Sequence, residues 1–334
     1  MALWIAIAAA LVFSLTNGLL DAANAIATIV ATRAATPAQA IVVSAVFNLL
    51  GTLLFGTAVA GTVGGIVTVA PGRAVAVIGS GVVGATIWNT VTWSRSLPSS
   101  SGHALVGGLV GAGLAEAGSG AVRWGGLEGA RPVGVFGILI ALAVAPAIGF
   151  GFGFGAARLS RRALRRATRA VRTPIRALEW VMSAALSFSH GANDGQKSIG
   201  VVGALLLAGG RTQTFSIPFW VKLSCGAMLT VGTAMGGWRI VRTVGRGILR
   251  LAPLDGFSSQ TASTAVILTA SSLGAPVSTS HVVASSVIGV GGGRRRWRHV
   301  RWAVVRSMAF GWLLTLPAAG VAGAFTLVIW KGVG

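Results

Sequence analysis

Apolar residues run through this chain in blocks of roughly 20, and polar residues gather in short clusters between or inside them. A block of that length crosses about 30 Å of hydrocarbon as an α-helix. The pattern predicts spans over 2–31, 38–60, 133–156, 177–208, 214–237 and 302–330. Two further apolar stretches, 73–115 and 256–291, are interrupted by Pro98 and Pro276. Each reads as a helical hairpin that enters and leaves on one side. The expected fold is an all-α polytopic membrane protein, an inverted-topology repeat with two re-entrant helical hairpins. The first block lacks the basic flank of a signal peptide, so it is read as the first span.

The order of elements repeats. Residues 1–157 and 177–334 each read span, span, hairpin, span, joined by a basic linker at 158–176. "NGLLDAANAIA" (17–27) aligns with "HGANDGQKSIG" (190–200), pairing Gly18 with Gly191, Asp21 with Asp194 and Ile26 with Ile199. "LPSSSGHALVGG" (97–108) aligns with "APVSTSHVVASS" (275–286), pairing Pro98 with Pro276 and His103 with His281. Two motifs in one order at nearly one offset mark a duplication, and inverted repeats of this kind are the mark of secondary transporters.

Charge then orients the path. The chain has 27 Lys and Arg against 6 acids, a net +21, yet only 10% of its 334 residues are charged. Soluble domains carry about 25%. The bases cluster at 158–176, 239–250 and 294–301. Short loops between spans make the positive-inside rule a better account than nucleic-acid binding. The basic loops are expected in the cytoplasm, with both termini outside and contact to anionic lipid compatible. Cys225 is the single cysteine, so no intrachain disulfide forms.

The six acids are Asp21, Glu116, Glu128, Glu179, Asp194 and Asp255. Only Asp21 and Asp194 are expected well inside spans, and they are repeat partners. A carboxylate at such depth is costly and functional by default. Asn17 and Asn24 flank the first; Asn193, Gln196 and Lys197 flank the second. Spacing of three puts Asp194 and Lys197 on one helix face, as it does Asp21 and Asn24. Carboxylate and amide oxygens suit Na⁺ or a proton better than a soft metal. The plainer reading is that Asp194 and Lys197 merely neutralise each other.

Ser99, Ser100 and Ser101 follow the first proline; Ser278, Thr279 and Ser280 follow the second. Proline ends one helix and Ser or Thr caps the next. Each hairpin would thus present a helix N-terminus, with free N–H groups and hydroxyls, to an anion. The alternative is that these residues only cap buried breaks. His103 and His281 read either as groups that hold the hairpin tips or as substrate or proton handlers. Ser, His and Asp at depth also raise an intramembrane hydrolase, but no G-x-S-G element accompanies them. The chain is not expected to be an enzyme.

The paired signatures resemble the inorganic phosphate transporter (Pit) family. "SHGANDGQKSIG" and "PVSTSH" are similar to its motifs, as are "NGLLDAANAIATIVATR" and "WNTVTWSRSLPSSSGHALVGG" with departures, and "WLLTLPAAG" (312–320) resembles its final span. The resemblance covers nearly the whole chain. It implies symport of inorganic phosphate with Na⁺ or H⁺ and no other cofactor. It implies that Ser99–Ser101 and Ser278–Ser280 bind phosphate oxygens and that Asp21, Asn24, Asn193 and Asp194 form the coupling-ion and substrate region, and the metal ligands if Na⁺ is the ion. It leaves room for a homodimer. Leu20 stands where the first signature has Asn, and Gly102 where a further Ser is common. Sulfate carriage and a passive anion channel are the alternatives.

Overall fold

A computed structural model of the chain describes residues 1–97, 99–129, 131–166, 171–235, 248–294 and 297–333, with every side chain among them except those of 22–24, 131, 172 and 333. Pro98, the Asn24 side chain and parts of all three basic clusters lie outside the described residues. The elements in order are α1 (Ala2–Ala31), α2 (Pro37–Leu54), α3 (Ala58–Gly64), α4 (Pro71–Ser94), α5 (Ser101–Ala117), a two-stranded ribbon of β1 (Leu127–Glu128) and β2 (Arg131–Pro132), α6 (Gly134–Ala163), α7 (Arg172–His190), α8 (Gln196–Ala208), α9 (Phe219–Met235), α10 (Pro253–Ser272), α11 (Thr279–Gly293) and α12 (Trp302–Val333). Among the described residues, six helices are long and apolar enough to cross a membrane: α1, α2, α4, α5, α6 and α12.

The boundaries differ from expectation in three places. The span expected at 38–60 is two helices, broken at 55–57, and the amide of Val59 just past the break is received by Gln196 Oε1 at 2.9 Å. The span expected at 177–208 is α7 and α8 joined through a π-helical turn, Gly191–Gly195. Such turns insert a residue into the helical ladder and recur at functional sites. The short ribbon at 127–132 is the small exception to an all-helical chain.

Helix contacts fall into matched pairs. Helix α6 lies along α11 as α12 lies along α5, and α6 meets α10 as α12 meets α4. Helix α1 packs on α9 and α4, as α7 packs on α2 and α10. The last helix of each half thus packs on the broken pair of the other half, and the halves interlock. Pro146 in α6 and Pro317 in α12 sit at comparable places in these two helices.

The glycines aligned in the sequence have a packing reason. A Cβ at Gly18 would overlap the Leu229 carbonyl of α9, and one at Gly191 would overlap the Asn48 carbonyl of α2. Small residues let helix backbones touch where lipid offers no hydrophobic drive.

The two breaks are built alike. After α4 the Leu97 amide donates to Thr92 O at 2.9 Å, and after α10 the Ala275 amide donates to Ala270 O at 2.9 Å. Both bonds close over a residue of left-handed backbone: Ser96 (φ 56°) in the first and Gly274 (φ 72°) in the second. Glycine adopts that conformation freely, and other residues at a cost of roughly 1–2 kcal/mol. Ser96→Gly should therefore raise stability by about 1 kcal/mol, read as a higher thermal midpoint in detergent; an unchanged or lower midpoint would show that the Ser96 side chain compensates the strain.

Charge divides between the ends of the molecule. The Trp180 indole donates to Ala34 O at 3.2 Å, placing the turn after α1 beside the first half of α7. Arg161 donates to Arg294 O, Arg294 pairs with Asp255, and the Arg301 amide reaches Ile248 O. The described parts of the basic clusters therefore share one end. At the other end Arg73 and Lys331 pair with Glu116 at 3.4 and 2.8 Å, and Arg123 pairs with Glu128 at 2.9 Å.

Candidate functional site

The start of α5 and the start of α11 meet in the interior. Ser100 caps α5, its Oγ accepting from the His103 amide at 3.2 Å; Ser278 caps α11, accepting from the His281 amide at 3.4 Å. The caps satisfy one orphan N–H at each end. Ser280 Oγ lies 3.2 Å from Ser99 O, so the two starts touch.

The hydroxyls beside the caps reach the two acids. Ser101 Oγ donates to Asp21 Oδ2 at 2.7 Å, and Thr279 Oγ1 donates to Asp194 Oδ2 at 2.9 Å. Each helix start thereby binds the acid of its own half. Ser280 Oγ crosses over to Asp21 Oδ1 at 3.2 Å. Asp21 and Asp194 are each 1% exposed. An oxygen of each, with a ring nitrogen of His190, lies within 4.8 Å of the others, a spacing that can hold a cation. Two acids 173 positions apart in sequence are thus neighbours in a site walled by both halves.

Lys197, also 1% exposed, donates to Asp194 Oδ1 at 2.5 Å and to Val277 O at 2.7 Å. Spacing of three on α8 and the preceding turn places the pair as expected. A buried ion pair repays its desolvation only when its other hydrogen-bonding groups find partners, and here a second N–H of the ammonium donates to the Val277 carbonyl.

The other expected residues serve at greater distance. Ser99 Oγ pairs with Thr92 Oγ1 at 2.9 Å at the end of α4. Asn193 Nδ2 donates to Ser271 Oγ at 2.9 Å and Ala275 O at 3.4 Å, which ties the π-helical turn to the second break, while its buried Oδ1 has no partner among the described residues. Gln196 Nε2 donates to Ala192 O at 2.6 Å, so with its bond to Val59 it joins the signature to the start of α3 and does not face the acids. The His103 and His281 rings stack across the halves with centroids 4.7 Å apart, and His281 stacks on Trp312 at 3.7 Å. Their backbone amides, not their rings, hold the caps.

Two residues escaped the sequence reading. His190 Nε2 is 3.3 Å from Asp194 Oδ2, and its Nδ1 is 2.9 Å from Asn48 Oδ1. Its spacing of four from Asp194 was a usable signal. Glu179, in the first half of α7, is fully buried against Gly256 at the start of α10. That burial comes from a helix distant in sequence, which no local pattern reports.

A cavity of about 10 Å³ is lined by Gly102, Leu105, Lys197 and Pro276 among others. That is room for about one water.

Comparison with known proteins follows the same two halves. The model of the "Phosphate transporter family" matches twice, over residues 17–174 and 160–323. A "Probable low-affinity inorganic phosphate transporter" of Rhizobium meliloti is 42% identical over 323 residues, spanning 95% of this chain and 93% of the relative. A Bacillus subtilis protein of the same name is 35% identical over 96% of this chain and 94% of its own length. The solved structure of "The sodium-dependent phosphate transporter" superposes with a TM-score of 0.87 at 25% identity, covering 100% of both chains. The family is one of transporters, not enzymes. With both halves matched and full-length relatives at this identity, the chain belongs to the phosphate transporter family.

Proposed function

We propose that the chain imports inorganic phosphate by symport with a cation, Na⁺ or H⁺, through alternating access. The observation that carries this reading is the convergence of two helix N-termini and three hydroxyls on Asp21 and Asp194. Helix starts favour anions, and acids favour cations. A hydroxyl has one proton and two lone pairs. With no cation on the acids, Ser101, Thr279 and Ser280 spend their protons on carboxylate oxygens. A cation bound between the acids takes those oxygens and the hydroxyl lone pairs. The hydroxyl protons are then released to face phosphate. Each ligand strengthens the other, and the coupling is reciprocal.

The interlocked halves supply the motion. The broken helices pack on α6 and α12 of opposite halves, so rocking of one half against the other opens the site alternately. The hairpins are re-entrant in this reading. The two halves lie inverted in the membrane, the basic end faces the cytoplasm and both termini are outside.

Uptake of labelled phosphate into proteoliposomes, with Na⁺ and pH gradients imposed separately, tests the proposal. One gradient should drive accumulation above equilibrium, and sulfate in tenfold excess should compete weakly, since sulfate has no proton to donate to a site acid near neutral pH. Flux indifferent to both gradients would indicate a passive channel. Full competition by sulfate would indicate a general oxyanion carrier.

A further inference from the structure

The two acids do not have equivalent surroundings. Exchange of the halves pairs Ser99 with Val277, Ser101 with Thr279, Gly102 with Ser280 and Asn24 with Lys197. On the first side Ser280 Oγ contacts both Asp21 Oδ1 and Ser99 O, each at 3.2 Å. The matching contacts on the second side would run from residue 102 to Asp194 and Val277 O. Residue 102 is glycine and has no hydroxyl. Lys197 Nζ instead donates to both of those acceptors, Asp194 Oδ1 at 2.5 Å and Val277 O at 2.7 Å. A Cβ at Gly102 would lie 3.1 Å from that nitrogen, so a side chain there would crowd the ammonium. The missing hydroxyl and the added base are one local exchange.

We infer that the Lys197 ammonium is a tethered cation. It fills beside Asp194 the place that the Ser280 hydroxyl fills beside Asp21 and brings a positive charge to it, so one of the paired acids is already neutralised and the pair carries one driving cation per cycle and not two. The inference rests on the proposed symport, and it narrows the cation stoichiometry of that same site. An ammonium is a hydrogen-bond donor that needs acceptors, and it has them in a carboxylate and a carbonyl. The same two oxygens, joined by the Thr279 hydroxyl that donates to Asp194 Oδ2, are hard ligands of the kind Na⁺ takes.

Direct binding of radioactive Na⁺ to the purified full-length protein tests this without transport. Lys197→Asn, which restores the chemistry of its repeat partner Asn24, should bind one more Na⁺ per chain than the unaltered protein. That gain should vanish when Asp194→Asn is added, and it should survive in Lys197→Asn with Gly102→Ser. A folded Lys197→Asn chain that binds no additional Na⁺ overturns the inference. Should Lys197→Asn not fold, Asp21→Asn decides, since it leaves the lysine pair in place. A Na⁺ retained in Asp21→Asn and lost on adding Asp194→Asn overturns the inference, and loss in Asp21→Asn of the single Na⁺ that the unaltered protein binds supports it. Failure of gradient-driven phosphate uptake in the unaltered protein would count against the symport proposal alone, because the Na⁺ count does not depend on it.

Discussion

Replacing Asp21 by Asn is expected to cut gradient-driven phosphate uptake roughly 100-fold while the protein still folds, the size of effect that follows from losing a charged interaction of about 3 kcal/mol. Asparagine keeps the shape of the side chain and can still accept from Ser101 or Ser280 through its oxygen. It removes the negative charge that draws the cation. Phosphate accumulation in proteoliposomes under the driving gradient gives the main readout. Passive exchange of phosphate at zero gradient gives the second, and it should fall less, because the helix starts and hydroxyls remain. Accumulation at the unaltered rate would remove Asp21 from coupling and with it the proposed mechanism.

The second large effect concerns the Asp194–Lys197 pair, both members 1% exposed. Lys197→Met alone strands the carboxylate, and Asp194→Asn alone strands the ammonium. Breaking a buried pair by removing one partner costs about 3–5 kcal/mol, whereas replacing both partners is often neutral. Each single variant should therefore show a sharply lowered thermal midpoint in detergent. The double variant, Asp194→Asn with Lys197→Met, should recover most of that stability yet carry no phosphate against a gradient. Recovery of both stability and uptake would reduce the pair to a structural device. Failure to recover stability would show that His190 and Thr279 depend on the Asp194 carboxylate for their own placement, as their distances of 3.3 and 2.9 Å allow.

Much of this site was legible in the chain before any coordinates. Asp21 and Asp194 stand out because an acid within an apolar run has few bland explanations. The Ser and Thr clusters stand out because each follows a break in such a run, and both prove to cap a helix. Spacing of three along a helix placed Lys197 on Asp194 correctly. Local periodicity failed where the ladder itself changes. It joined α2 to α3 and read through the π-helical turn at Gly191–Gly195, because neither event alters the hydropathy of the run. It also does not report that packing against α10 buries Glu179 completely.

The sequence by itself determined that this chain is a multi-pass membrane protein, which follows from the energetics of single segments in hydrocarbon, and that it is a duplication, which follows from its paired motifs. Only the tertiary structure decided that α6 and α12 exchange partners between the halves, that Ser280 serves the acid of the other half, and that Lys197 takes the acceptors left by Gly102. Those three facts are relations between segments more than 75 positions apart. No solvent preference of a single helix encodes them, and close packing of two interlocked copies does.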